Sequence, residues 1–276
     1  MSDDTTKIGD ATNTGGDGGS NVRLPILGLD AAAVPERVLV VGDPARAALV
    51  AERLDDPVHV GTNREYATYT GRHRGTTVAV VSHGVGAAGA GVCFEELCRA
   101  GARIIVRAGT CGGMQPGVVD GDLVVATAAV REDGLTERLV PLSYPAVASA
   151  PVVSALRAAA ADRDDRPAGG ARVGTVHEGV VLTHAVFYPG PVLGSDLERW
   201  QRAGVVAVEM ECAALFVVAG LAGRAAGAIL AVDGNPLATA DDDMSDYDPG
   251  RPVVHAAVDR MITVALDAVV AAESGS

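Results

Sequence analysis

The chain has 276 residues, 48% of them hydrophobic, and a formal net charge of −13. This length and apolar content allow one domain with a sizeable core, whereas the acidity argues against a nucleic-acid partner, whose phosphates demand a basic face. The chain lacks a run of about 20 uncharged apolar residues, and MSDDTTKIGD is no secretion signal, so we expect a cytoplasmic protein.

The cysteines and histidines follow no metal-binding spacing. Neither CxxC nor HxxxH occurs, so we expect reduced thiols and no metal. Lys7 is the only lysine, and this Asp-rich, nearly lysine-free composition is similar to that of proteins from salt-accumulating halophiles. We therefore attribute the acidity to a saline habitat and not to the substrate.

The order of elements predicts an α/β protein. Residues 1–22, rich in Gly, Asp, Thr and Ser, predict a disordered acidic tail before a single domain over 23–276. Short Val/Ile/Leu-rich runs then alternate with Ala-rich helical patterns, which is typical of a parallel or mixed sheet covered on both faces. The predicted strands are 37–41, 77–82, 103–108, 122–129, 173–183, 205–208 and 226–232. The predicted helices are 44–54, 89–100, 147–161, 212–221 and 252–271, and an acidic loop at 233–250 is either a lid or disordered.

The first candidate site follows the strand 37–41. Gly42 permits close approach of the backbone, Asp43 and Pro44 predict a helix start with free N–H groups, and Arg46 adds a positive charge. These features predict an anion site. An ordinary strand–helix turn with a surface arginine is the alternative.

A second arginine lies at the end of an apolar strand. A buried charge at Arg107 is costly unless it meets an opposite charge, which predicts either a bound anion or an internal salt bridge. Thr110 follows in a Gly-rich turn at the carboxyl end of this strand, the edge where open α/β sheets bind ligands. We therefore group both residues with the anion site.

Two carboxylates interrupt the apolar segment VVAVEMECAALF. Glu209 and Glu211 require polar partners there; a ribose diol is one such partner, and internal pairing at a helix start is the alternative. The glycine spacing of HGVGAAGAG matches the dinucleotide-binding fingerprint. That fingerprint also requires an acidic residue at the end of the next strand, where this chain has Arg107, so the match is weak.

These segments together resemble the uridine phosphorylase branch of the nucleoside phosphorylase family, which includes the hexameric purine nucleoside phosphorylases. The resemblance covers about residues 26–270 and rests on VVGDPARAALVAERL, NREYATYTG, HGVGAAGAGVCFEELCRAGARIIVRAGTCGG, GDLVVATAAVREDGLTERLVPLSYPAVA, VFYPG and VEMECAALF. It implies a three-layer α/β/α phosphorylase fold with a central mixed sheet. It also implies a dimer-based homohexamer in which each site is completed by the neighbouring subunit.

The resemblance also implies roles for individual residues. It assigns phosphate to Gly42, Arg46, Arg107 and Thr110, with Arg64 reaching the site of the adjacent subunit. The implied ribose and base contacts are Phe187, Glu209, Met210, Glu211, Cys111, Gly112 and Asn235. Phosphate is a co-substrate, and neither a metal nor an organic cofactor is implied.

The sequence departs from the family at the base. Uridine phosphorylases carry a glutamine and an arginine after the FYPG segment, where this chain has Pro191 and Leu193. Asn235 stands where those enzymes place another arginine, and Asp233 lies close to the position of the acid of purine enzymes. Ile26 aligns with the family's ribose-binding histidine. The base is therefore uracil or a purine such as guanine or hypoxanthine.

The expected reaction is reversible phosphorolysis of a ribonucleoside to free base and ribose 1-phosphate. We expect the catalytic residues to be Arg107, Glu211 and Asp233. A nucleosidase that uses water, a non-catalytic nucleoside-binding protein and a dinucleotide-dependent oxidoreductase are the alternatives.

Overall fold

The structure, a computed structural model, describes residues 22–161, 174–237 and 248–273. The predicted acidic tail lies outside these residues except for Val22, and so does the part 238–247 of the predicted loop. The strands are β1 Arg23–Leu24, β2 Leu29–Asp30, β3 Arg37–Val41, β4 Asp55–Asn63, β5 Tyr66–His73, β6 Thr76–Ser82, β7 Ile104–Gly113, β8 Leu123–Glu132, β9 Ala146–Val147, β10 Val176–His184, β11 Ala207–Glu209 and β12 Ala225–Gly234. The α-helices are α1 Pro44–Ala51, α2 Ala87–Ala100, α3 Thr136–Leu139, α4 Ala150–Ala161, α5 Leu197–Arg202, α6 Cys212–Leu221 and α7 Pro252–Ala271.

One large mixed sheet organises the chain, in the order β11-β10-β8-β12-β7-β3-β6-β5-β4, with β9 added beside β8. The neighbours β6, β3, β7 and β12 are mutually parallel, so their carboxyl ends meet at one edge. Strand β11 pairs with both β10 and β7, which closes five of the strands into a ring. The sheet thus curls around the edge where the parallel strands end.

Helices cover both faces of the sheet, which confirms the predicted three-layer α/β/α fold. Helix α4 packs on α7, and α7 in turn packs on β7 and β12, while α2 packs on α6. Residues 38–41 of β3 have no exposed surface. This agrees with their continuous apolar sequence, which is typical of a strand covered on both faces. The long helices α6 and α7 begin and end at the predicted residues.

Two differences from the predicted elements affect the site. The antiparallel pair β4 and β5 was not predicted, because β4 is mostly exposed and lacks an apolar run. Strand β7 continues to Gly113, so the prediction that Thr110 lies in a turn is wrong. Pairing of Thr110 with Ala231 on β12 keeps that glycine-rich stretch extended.

Candidate active site

A cleft of about 1280 Å³ opens where β3, β6, β7 and β12 end. Every predicted site residue except Arg64 lines it: Gly42, Arg46, Arg107, Thr110, Cys111, Gly112, Phe187, Glu209, Met210, Glu211, Asp233 and Asn235. The sheet therefore brings together groups that are up to about 190 residues apart in sequence, as expected for ligand sites at the carboxyl edge of α/β sheets.

Arg107 lies at the centre of a buried cluster of charges. Its Nη2 is 2.5 Å from Oε2 of Glu211 and 3.1 Å from Oε2 of Glu209, and its side chain is 4% exposed. Burial acts to lower the pKa of Arg107, but the Glu211 and Glu209 carboxylates outweigh it and raise the pKa above the usual range. The internal salt bridge considered as an alternative is therefore present, and the guanidinium also lines the cleft.

Gly109 makes room for this guanidinium. A Cβ atom at Gly109 would lie 2.3 Å from Nη1 of Arg107 and 2.6 Å from its Cζ. Because the end of the Arg107 side chain lies over Gly109, a larger residue at this position would have to displace the guanidinium.

Glu209 is committed to the protein itself. Its Oε1 accepts a hydrogen bond from Oγ1 of Thr183 at 2.6 Å, and its Oε2 accepts one from the backbone N of Glu211 at 2.8 Å. The backbone N of Cys212, the first residue of α6, also donates to this carboxylate. Glu209 thus caps the start of α6 and holds Arg107, which is the internal pairing considered as the alternative for this residue.

Glu211 faces the cleft beside its contacts with the protein. Its Oε2 accepts from Arg107, and its Oε1 accepts from the backbone N of Gly86 at 2.5 Å. Burial raises the pKa of Glu211; Arg107 lowers it, and the neighbouring Glu209 raises it. Gly86 caps helix α2, so this helix start and the glycine motif receive a carboxylate of the chain itself. That arrangement gives the glycines a function without a dinucleotide.

The helix start at Pro44 forms one wall of the cleft. Asp43 caps α1 as predicted, because its Oδ1 accepts from the backbone N of Ala45 at 2.9 Å. Gly42, Pro44 and Arg46 all line the cleft on this side. Positive charge from the helix start and from Arg46 therefore lies in the same cleft as Arg107.

His83 is a buried residue that the sequence analysis did not single out. It follows β6, has no exposed surface, and places its Nε2 3.3 Å from Nη1 of Arg107. Burial lowers the pKa of His83 well below the usual value, and Arg107 lowers it further. A histidine that directly follows an apolar strand on the parallel edge was the signal available in the sequence.

Asp233 also lines the cleft. Strand β12 pairs with β7 in register up to Val232 and again from Gly234, so Asp233 is the extra residue of a bulge. Bulges redirect side chains, and Asp233 is buried where it lines the cleft. Arg251 donates to the carbonyl O of Asp233 at 2.8 Å and forms an ion pair with Asp120.

Asp120 and Arg251 both line the cleft but were not predicted. They lie 131 residues apart in sequence, and in so acidic a chain nothing distinguishes this aspartate from the others.

Phe187, by contrast, was predicted and borders the cleft. Its surface is 43% exposed, and its ring lies 4.9 Å from that of Tyr188.

Three positions discussed from the sequence lie elsewhere. Arg64 is exposed in the turn between β4 and β5, with a φ of 53°, outside the lining of the cleft. Pro191 and Leu193, which replace the uracil-binding pair, do not line the cleft either, and Leu193 is 93% exposed.

Among the described residues, one group could supply metal ligands: Glu132, His184 and Asp196, whose ligand atoms lie within 4.8 Å of one another. Arg199 forms ion pairs with both carboxylates, at 3.2 Å and 2.5 Å, and so already compensates part of their charge. Across the same described ranges, no helix combines the length and apolar character needed to cross a bilayer.

The fold and the cleft together define an α/β protein whose cleft, at the carboxyl edge of the sheet, brings arginines beside buried carboxylates. A profile described as "Phosphorylase superfamily" matches residues 36–271. The chain therefore belongs to the phosphorylase superfamily.

Individual relatives agree with this assignment. The guanosine phosphorylase of Halorubrum lacusprofundi is 35% identical over 252 residues, which cover 90% of this chain and 99% of the relative. The uridine phosphorylase of Treponema pallidum is 38% identical over 218 residues, covering 76% and 81%. A crystal structure of purine nucleoside phosphorylase from Toxoplasma gondii in complex with immucillin-H superposes with a TM-score of 0.82 at 31% identity, covering 91% of this chain and 96% of that one.

Proposed function

We propose that this chain catalyses the reversible phosphorolysis of a purine ribonucleoside, with guanosine and inosine preferred over uridine. The observation that carries this proposal is the cleft itself, whose lining combines Arg46 and Arg107 with the buried carboxylates of Glu211 and Asp233. A nucleosidase of the same fold would need no arginine-lined pocket, and relatives of this chain include enzymes named guanosine, purine nucleoside and uridine phosphorylases.

The arginine end would hold phosphate. Gly42 and the start of α1 offer backbone donors, Arg46 and Arg107 offer charge-assisted ones, and Thr110 offers a hydroxyl. Arg107 is buried beside low-dielectric strands, where its attraction for a dianion is stronger than in water. These groups would fix the phosphate as a nucleophile and partly neutralise its charge.

The middle of the cleft would hold the ribose. The Glu211 carboxylate can accept hydrogen bonds from two vicinal hydroxyl groups, and Met210 beside it offers an apolar contact to the sugar. Each Glu211 oxygen accepts one hydrogen bond from the protein and keeps capacity for a second, whereas each Glu209 oxygen already accepts from at least two donors. We therefore assign Glu209 to positioning Arg107 and α6 and not to contacting the sugar.

The Asp233 end would hold the base. On either side of Asp233, strand β12 pairs with Cys111 and Gly112 of β7, and Asn235 and Phe187 line the same cleft. A carboxylic acid at Asp233, or a water molecule that it orients, would give a proton to purine N7. Uracil has no corresponding nitrogen, and the positions of the uracil-binding pair lie outside the cleft lining.

In the proposed reaction, a phosphate oxygen forms a bond to C1′ of the ribose while the C1′–N9 bond breaks. The bonding electrons leave with the base, whose N7 takes up a proton, and the products are ribose 1-phosphate and free purine. The sugar carries positive charge as the bond lengthens, and the adjacent phosphate stabilises it. No step requires a metal or an organic cofactor.

A neighbouring copy of the chain would complete the site. Arg64 is exposed on the β4–β5 turn and does not line its own cleft. In the proposed assembly it would reach the phosphate of an adjacent subunit. We propose dimers of this kind as the unit of a homohexamer. Arg64→Met would then lose phosphate affinity without any change in its own subunit's cleft.

The test is release of base from guanosine, inosine, adenosine, uridine and thymidine, with and without phosphate, at the high salt that suits an acidic protein. We expect strict dependence on phosphate and fastest release from guanosine or inosine. Release without phosphate would establish a nucleosidase, and binding without turnover a sensor. Fastest release from uridine would overturn the assignment of the base.

A variant pair links this activity to the cleft. Arg46→Met should raise the phosphate KM by about tenfold, because a charge-assisted hydrogen bond to phosphate is lost. Arg99→Met is the matched control, since Arg99 pairs with Glu95 on the exposed face of α2 and does not line the cleft. Equal kinetics for the two variants would remove Arg46 from the phosphate site.

A further inference from the structure

His83 makes two contacts that fix its protonation state. Its Nδ1 lies 2.8 Å from the carbonyl O of Gly84, which can only accept, so Nδ1 carries the proton. Its Nε2 lies 3.3 Å from Nη1 of Arg107, which can only donate, so Nε2 is a bare acceptor. Both contacts require the same neutral tautomer, and the lowered pKa of the buried ring agrees with it.

His83 also joins the two strands whose ends form the anion-binding wall. Its backbone N donates to the carbonyl O of Val41 at 2.8 Å, and the N of Gly84 donates to the O of Gly42 at 2.9 Å. The ring lies edge-on to Phe94, with centroids 5.3 Å apart at 68°, so apolar packing fixes its plane. The ring thus has a defined orientation beside Gly42 on one side and Arg107 on the other.

The two terminal nitrogens of the Arg107 guanidinium have different partners. Nη2 contacts both carboxylates, whereas the contact of Nη1 is with His83. Without a neutral acceptor on that side, both terminal nitrogens would be drawn towards Glu209 and Glu211, away from an anion at Gly42. A charged ring there would repel the guanidinium.

We propose that His83 is a positioning residue for phosphate, which acts by holding Nη1 of Arg107 through its unprotonated Nε2. The proposal rests on the phosphorolysis proposed above. His83 itself does not line the cleft, so its effect passes through Arg107. Loss of the acceptor should therefore alter the use of phosphate much more than the use of nucleoside.

Two amide substitutions separate this effect from packing. Asn at position 83 places its amide near the ring Nδ1 and is too short to reach Arg107, whereas Gln can place its carbonyl O where Nε2 lies. We expect His83→Asn to raise the phosphate KM by about tenfold with the guanosine KM almost unchanged, and His83→Gln to stay within about threefold of the unaltered protein. Phosphate binding measured by calorimetry should follow the same order.

The outcomes are distinct. An unchanged phosphate KM in both variants, or an equal rise in both, would overturn the role of Nε2. Release of base without phosphate by the unaltered protein would instead overturn the phosphorolysis on which the role depends. If His83→Asn does not fold, spectra of the unaltered protein with 15N-labelled histidine decide the point. We expect one ring to stay neutral with its proton on Nδ1 between pH 5 and 8; a proton on Nε2 of the His83 ring would refute the proposal.

Discussion

Gly109→Ala should damage phosphate use through one added methyl group. The new Cβ would lie 2.3 Å from Nη1 of Arg107, whereas ordinary contact begins at 3.4 Å, so the guanidinium would have to withdraw by about 1.1 Å. The carboxylates of Glu209 and Glu211 hold that guanidinium from the other side. A displacement of about 1 Å in a positioned group can cost about a hundredfold in rate, and we expect a loss of this order in kcat/KM for phosphate.

The stability of the Gly109→Ala variant provides a second measure of the clash between the new methyl group and Arg107. Overpacking of a buried site costs about 1–3 kcal/mol, so the variant should unfold at lower temperature and still fold. The matched control is Gly117→Ala, because a Cβ at Gly117 meets nothing within 4 Å. Initial rates at varied phosphate and thermal unfolding would be measured for both variants. If Gly109→Ala matched Gly117→Ala in phosphate kinetics, the fixed position assigned to Arg107 would be refuted.

Further predictions concern the other groups of the cleft. Glu211→Gln should weaken nucleoside binding by about 10–100-fold, since a charged acceptor is lost, yet tighten phosphate binding in the absence of nucleoside, because Arg107 is released; weaker phosphate binding in calorimetry would contradict this. Asp233→Asn should lower the kcat for guanosine at least about tenfold while sparing any uridine turnover, and an equal loss for both substrates would argue against proton donation by Asp233. Burial raises the pKa of Cys98 to about 11 and that of Cys111 well above its usual value, so both stay protonated at pH 8. Iodoacetamide should therefore leave activity intact at pH 8; rapid inactivation at pH 8 would contradict the burial of these thiols.

Local signals account for what the sequence predicted well. The N-terminus of α1 could be predicted because Asp43 and Pro44 act within a single turn. The apolar strands and the helices α6 and α7 could be predicted because each produces a continuous or periodic pattern of apolar residues within one short stretch of sequence. Arg107 was predicted as a site residue because a charge in an apolar strand is costly wherever the strand lies.

The features that could not be predicted depend on contacts between residues far apart in the sequence. The sequence offered Arg107 either an anion or a carboxylate, and only the fold shows that Glu209 and Glu211, more than 100 residues away, surround it. The roles of those two glutamates diverge because Thr183 and the start of α6 occupy Glu209. No local pattern carries that information.

Charge balance in the cleft explains why both substrates would be needed together. Arg107 carries one positive charge against the two negative charges of Glu209 and Glu211, and the neutral His83 adds none. Under the proposed function, Arg46 and the start of α1 would attract a phosphate dianion, but this cluster would oppose it until Glu211 turned towards ribose hydroxyls and left Arg107 more available to the phosphate.

Under the proposed function, each substrate would prepare the site for the other, and the coupling of the two binding free energies must be equal in both directions. A hydrolase with the same Glu211 would require no such exchange, because water brings no charge to be compensated. On this proposal Arg107, held between His83 and the two carboxylates, would be the group that distinguishes phosphorolysis from hydrolysis.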